Sequence, residues 1–138
     1  MKKLILLFTI ISGLAFGQIK TEIIDTGEYI GRTGYSYIKK KDNQIDLCYK
    51  NIKYSSIMDM DCVSFSDNNS NLENLYKTIV DGMSNPPKEG LLVSIEDTEF
   101  KLKFSRHSTT FVKYENGMFI SSSGPISKGQ IDKLFGKR

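Results

Sequence analysis

The chain has 138 residues, with 19 Lys and Arg against 16 Asp and Glu for a formal charge of +3, 39% hydrophobic side chains, two cysteines and one histidine. A length of this order fits one domain with a genuine core. The near-neutral balance leaves little of the phosphate-seeking field of nucleic-acid binders, and two cysteines with one histidine are too few soft ligands for a structural zinc centre.

The chain opens on a pattern of export. Lys2 and Lys3 form a positive head and Leu4 to Ile11 an apolar stretch, followed by Ser12-Gly13-Leu14-Ala15-Phe16-Gly17, a breaker and cleavage site with Ala15 and Gly17 at the small positions. The spacing predicts a signal peptide over Met1 to Gly17, a mature chain from Gln18, and a secreted or periplasmic destination. Leu4 to Phe16 falls short of the roughly 20 apolar residues of a spanning helix, so no transmembrane segment is expected after cleavage. Both leader lysines depart with it, leaving 121 residues with 17 basic and 16 acidic side chains, a net charge of +1. Export also bears on Cys48 and Cys62. Both fall in strand-like runs, and an oxidising compartment favours a disulfide between them over two separately buried thiols.

Ile19 to Ile24 reads as the first strand, and Gly27 to Gly34 as a loop or a bulged strand. Between them Asp25-Thr26-Gly27 resembles the catalytic tripeptide of retroviral-type aspartic proteases. Glu28 stands where that family has a small residue, and no hydrophobic-hydrophobic-Gly brace follows late in the chain, so a strand-end turn accounts for the tripeptide. Tyr35 to Lys40 and Ile45 to Lys50 flank Lys41-Asp42-Asn43-Gln44 as a hairpin, with Lys39-Lys40-Lys41 at its solvated tip. Alternation puts Tyr35, Tyr37 and Lys39 on one face just after Arg32, where rigid rings beside charge make a candidate binding surface for glycan or protein. Burial of the tyrosines at the rim of the core is the rival account.

Met58, Met60 and Cys62 alternate with Asp59, Asp61 and Val63, and period 2 turns the first three toward the core. Asp59 and Asp61 then share the outer face about 6.5–7 Å apart. That spacing suits two carboxylates around a hydrolysed bond or a cation, and equally a solvated surface.

Leu72, Leu75, Tyr76, Ile79, Val80 and Met83 form one helical stripe. Ser70 and Glu73 read as its capping box, which also accounts for the serine of the glycosylation sequon Asn68-Asn69-Ser70. Ser84-Asn85-Pro86-Pro87 stops the helix. Leu91 to Glu96 and the alternating Phe100, Leu102 and Phe104 follow as strands. His107 lies in the turn Ser105-Arg106-His107-Ser108, where a Ser-His pair invites a nucleophilic reading but no Gly-x-Ser-x-Gly elbow supports it. Thr109 to Tyr114 and Met118 to Ser122 enclose Glu115-Asn116-Gly117, a type I′ hairpin signal. Ser127 with Gln130 makes a second capping box, and Ile126 with Ile131 a hydrophobic staple.

These elements predict an α+β domain over residues 18–138. Its core is an antiparallel sheet of about six to seven strands in hairpins, with helices at about 70–83 and 127–136 packed on one face. Each half is a meander capped by a helix, though no fixed-period residue match links the halves. With no phosphate loop, dinucleotide fingerprint or metal spacing, no cofactor and no metal are expected, and an enzyme is the less favoured class. The reading is a small exported binding protein whose partner is a protein or glycan in the envelope or outside the cell, not a nucleic acid, with Arg32, Tyr35, Tyr37 and Lys39 as binding residues. The alternatives are a small secreted hydrolase using Asp59, Asp61 and His107, and a purely structural envelope component.

Overall fold

The computed structural model describes residues 7–10, 19–22, 27–53 and 56–137. Of the expected leader only Leu7–Ile10 is among them. This segment is strand β1, paired antiparallel with β2 (Ile19–Glu22). The rest of the leader, Ile23 and Ile24, and Asp25 and Thr26 lie outside the described residues. No helix among those described is long and apolar enough to cross a membrane.

The architecture is α+β, as the elements predict, but the strands do not form one sheet. β3 (Glu28–Thr33), β4 (Ser36–Lys41), β5 (Gln44–Lys50) and β6 (Met60–Ser66) make an antiparallel meander in chain order. After α1 (Asn71–Ser84), a second meander runs through β7 (Leu91–Ile95), β8 (Thr98–Phe104), β9 (Ser108–Glu115) and β10 (Met118–Ser122). β11 (Ile126–Ser127) pairs with the start of β9, and α2 (Lys128–Leu134) follows. The expected single sheet is thus two sheets, of four and five strands. Hairpin signals join neighbours in sequence, and nothing local reports whether the strands on either side of a helix pair.

The helices cross over. α1 follows the first meander but packs on β8 and β9 of the second, whereas α2 follows the second and packs on β3 and β4 of the first. The expectation of both helices on one sheet face therefore gives way to one helix per sheet. Ile38, Leu47, Tyr49 and Val63 meet Leu102 and Phe111, with Leu75, Ile79, Ile131 and Leu134 from the helices, in one buried cluster. Each such side chain contributes about 1.5–3 kcal/mol through burial, so neither meander owns the core.

The two helix starts differ from each other. At α2 the capping box forms as read, with Gln130 N–H donating to Ser127 Oγ (3.3 Å) and Ser127 N–H to Gln130 Oε1 (3.0 Å). At α1 Ser70 is left-handed and makes no side-chain cap. Asp67 takes over instead, its Oδ1 accepting from Leu72 N–H at 2.9 Å. A 3-10 turn over Asn68–Ser70 moves the capping oxygen back by three positions.

β6 also reverses the expected faces. Met58 and Met60 are 56% and 37% exposed, while Val63 and Phe65 are buried, so Asp61 shares the inward face with them. The longer run Val63-Ser64-Phe65 sets the phase, and the methionines before it follow. Its unpaired edge is closed by side chains of the second sheet, which removes a template for strand addition. Lys113 Nζ donates to Cys62 O (3.1 Å), Thr98 Oγ1 to Ser64 O (2.6 Å), and Ser66 N–H to Glu96 Oε1 (3.2 Å). Residues 62, 64 and 66 thus aim their backbone groups away from β5, which makes Cys48 and Cys62 a non-hydrogen-bonded pair. Such pairs bring Cα atoms closest in an antiparallel ladder; these two are 4.0 Å apart and joined by a disulfide.

Candidate functional site

The outer face of the first sheet carries the most organised group of exposed side chains. Ile38 is buried on the inner face, so period 2 sends Tyr37 and Lys39 outward. On β3 the register slips between Tyr29 and Gly31: Tyr29 opposes Lys39, Gly31 opposes Ile38, and Arg32 opposes Tyr37. In a regular strand residues three apart face opposite ways. The bulge puts Tyr29 and Arg32 on the same side.

Beside the slip the strand runs against α2. A Cβ on Gly31 would lie 2.0 Å from Lys133 O and 2.3 Å from Leu134 O, so the strand passes the helix end only as glycine. The bulge absorbs that approach.

Four tyrosine–cation contacts result. Lys39 Nζ lies 5.2 Å from the Tyr29 ring centre, the Arg32 guanidinium 5.9 Å from that of Tyr37 and 4.4 Å from that of Tyr29, and Lys50 Nζ 5.3 Å from that of Tyr35. Tyr29 and Tyr37 meet edge to face at 5.5 Å. Each contact couples a cation to the ring quadrupole. Among the described residues no carboxylate forms an ion pair with Arg32, Lys39 or Lys50. Asp46, opposite Lys39 on β5, accepts from Ser64 Oγ (2.6 Å) and Gln44 Nε2 (3.0 Å) instead.

The structure therefore groups Arg32, Tyr37 and Lys39, places Tyr35 beside them through Lys50, and adds Tyr29 and Lys50 to the set named from sequence. Lys50 was within reach, since it lies two positions after Cys48, which opposes Tyr37. Tyr29 was hidden by the bulge.

A second polar group sits at the seam between the sheets. Tyr49 OH meets Ser121 Oγ at 2.9 Å, Ser121 donates to Asp61 Oδ2, and Lys113 Nζ donates to Asp61 Oδ1 at 3.2 Å. Burial pulls the Asp61 carboxyl upward, but hydrogen bonds from Ser121, from Cys62 N–H and from Lys113 outweigh it and hold the group below its usual value. Burial pushes the Tyr49 phenol up to about 12, against the hydrogen bond with Ser121 and with the help of the Asp61 charge. Ser121 is 0% exposed. A substrate cannot reach it without parting the sheets, and the group serves as a bridge.

Asp59 takes a different role from Asp61. Its Oδ2 accepts from Asn51 Nδ2 at 3.1 Å and its carbonyl from Asn51 N–H at 2.7 Å, closing the neck of the loop between β5 and β6. His107 is exposed in the β8–β9 turn, where Ser105 and Ser108 bond to each other. It lies six positions before Lys113 along β9, about 20 Å at strand rise, so the structure does not bring His107 to Asp61. Gly27, the described member of its tripeptide, lies against Lys40 O. No group of three or more Cys, His, Asp or Glu able to hold a metal occurs among the described residues. A surface cleft of about 680 Å³ between β6 and the β7–β8 turn is lined by Glu96, Asp97, Glu99 and Glu115 with Lys113.

No protein-family model, curated protein or solved structure matches this chain.

Proposed function

We propose that this chain is a small exported, non-enzymatic binding protein whose contact surface is the outer face of β3, β4 and β5, taking a protein or glycan in the envelope or outside the cell. The observation that carries the reading is the set of exposed Arg32 and half-buried Lys39 and Lys50, held over tyrosine rings and, among the described residues, without carboxylate partners. A cation paired with an acid is neutralised, whereas one seated on a ring keeps its charge while losing rotamer freedom, which lowers the cost of ordering it on binding. Tyr29 and Tyr35, 52% and 60% exposed, add rigid amphipathic area of the kind that anchors interfaces.

Export rests on the leader pattern of Met1 to Gly17. The Cys48–Cys62 disulfide agrees with an oxidising compartment. The binding reading is favoured over hydrolysis because Asp61 is engaged by Ser121 and Lys113 and Asp59 by Asn51, with His107 at the far end of β9.

Capture from native envelope tests this reading. The chain is expected to retain a partner that the combined variant Arg32→Ala, Tyr35→Ala, Tyr37→Ala releases, with both proteins melting alike. A variant that keeps every partner of the parent would remove this face from consideration.

A further inference from the structure

The tyrosine–cation contacts recur along the face. Tyr35 in the β3–β4 turn and Tyr37 and Lys39 on β4 lie two residues apart, and each engages a neighbour from the adjoining strands: Tyr35 with Lys50, Tyr37 with Arg32, and Lys39 with Tyr29, which Arg32 also meets at 4.4 Å. Same-face positions on a strand are about 6.5–7 Å apart. The face is thus a ladder of three rings and three cations, with Arg32 shared between Tyr29 and Tyr37 and the cations drawn from β3, β4 and β5. A repeated receptor of this kind matches a repeated ligand, and its charge matches an acidic one.

We infer that the ladder takes an acidic polysaccharide, the carboxylates of successive sugars answering successive cations; this rests on the binding reading above and specifies its ligand. Three features separate this ligand from its rivals. An extended acidic peptide gains most of its affinity by adding to a sheet edge through main-chain hydrogen bonds, and the rings and cations of the ladder stand on a sheet face, off the edge that β3 forms. Single-stranded nucleic acid needs open ring faces for base stacking, and here cations sit over the rings of Tyr29, Tyr35 and Tyr37. A neutral glycan would leave three cations unanswered. A sugar chain with acid groups uses the cations, while its hydroxyls find the phenol groups of exposed Tyr29 and Tyr35.

Binding of the full chain to four immobilised polymers tests the inference: polygalacturonate, neutral dextran, polyglutamate and polyuridylate. Polygalacturonate should be retained, more weakly as salt rises, because exposed charges are screened, and dextran should not. Arg32→Gln, Lys39→Gln and Lys50→Gln combined should weaken polygalacturonate binding by about tenfold or more without changing the melting temperature. The single Lys39→Gln variant gives a milder loss should the triple variant fold poorly. Equal retention on dextran, tighter binding to polyglutamate or polyuridylate, or wild-type affinity in the glutamine variants would each overturn the inference. So would salt-sensitive self-association that covers the ladder with the acidic cleft of a second copy.

The two readings fail separately. If no polysaccharide binds while an envelope partner is captured by the parent and lost by the alanine variant, the ligand class is wrong and the surface stands. If the alanine variant keeps its partners, the surface itself is wrong.

Discussion

Asp61 and Ser121 meet across the seam between the two sheets, the serine hydroxyl donating to the carboxylate while Tyr49 OH lies 2.9 Å from the same serine oxygen. The contact joins β6 to β10, strands that belong to different meanders. Ser121→Ala leaves a fully buried tyrosine hydroxyl without its partner, a loss of about 1–3 kcal/mol. Asp61→Ala should cost more, because Lys113, which also reaches Cys62 O, loses its counter-charge. Urea unfolding should show both as a lower midpoint with unchanged slope. Equal stability of parent and Ser121→Ala would mean that the seam is held by apolar packing alone.

The same network gives stability a pH dependence at both ends. Asp61 is held below its usual value of 3.8, so its contribution is full above that value and drains away as pH falls through the lower folded value. The acid limb should therefore flatten in Asp61→Asn. Tyr49 behaves oppositely: its phenol rises from 10.0 to about 12, so stability is full below pH 10.0 and is lost as pH climbs toward 12. Two units correspond to on the order of 2–3 kcal/mol. Tyr49→Phe should lose the part of the alkaline limb that this phenol supplies, measured by unfolding across that range. An unchanged alkaline limb would place the tyrosine in a wetter site.

The features legible in sequence are those whose cause is local. The α1 stripe buries Leu75 and Ile79 as its spacing requires, Ser127 and Gln130 close their box, and Asn116 and Gly117 take the positive φ values of 51° and 77° that the hairpin turn needs. What sequence missed is decided by which element covers which face. Met60 and Val63 are equally eligible for the core by hydrophobicity, and only the packed sheets choose Val63. Ser70 is a good cap by type, but a 3-10 turn hands the task to Asp67. Tyr29 joins the ladder because of a register slip between it and Gly31, beside the end of α2 about a hundred residues downstream.

Gly31 and Gly82 make a matched pair for testing that crossed-helix arrangement. A Cβ on Gly31 meets backbone oxygens of α2, whereas one on Gly82 in α1 meets the Phe104 ring at 2.2 Å. Backbone cannot yield without moving the helix; a ring end can turn. Gly31→Ala should destabilise by about 1–3 kcal/mol or more and shift the ladder contacts with the bulge. Gly82→Ala should cost less, because alanine also improves helix propensity by about 1 kcal/mol. Calorimetry of the two variants gives the order, and a Gly31→Ala protein as stable as the parent would show that α2 docks loosely.

The disulfide acts on the first meander alone. Cys48 and Cys62 are 14 positions apart, and closing a loop of about 15 residues removes unfolded-chain entropy worth about 3 kcal/mol. Because β5 and β6 already pair along seven residues, the bond adds no topology that the ladder lacks, and the double variant Cys48→Ala, Cys62→Ala should still fold. Its midpoint in denaturant should fall by the equivalent of about 2–4 kcal/mol. Two positions along the same face from the disulfide, Lys50 and Tyr35 should stay in contact, because their strands are positioned by Ile45, Leu47 and Tyr49 in the core and not by sulfur. Polygalacturonate binding by the double variant at a temperature well below its melting point should therefore equal that of a parent that binds it. Binding lost together with the disulfide, in a variant still folded by circular dichroism, would make the bond part of the surface and not only of the scaffold beneath it.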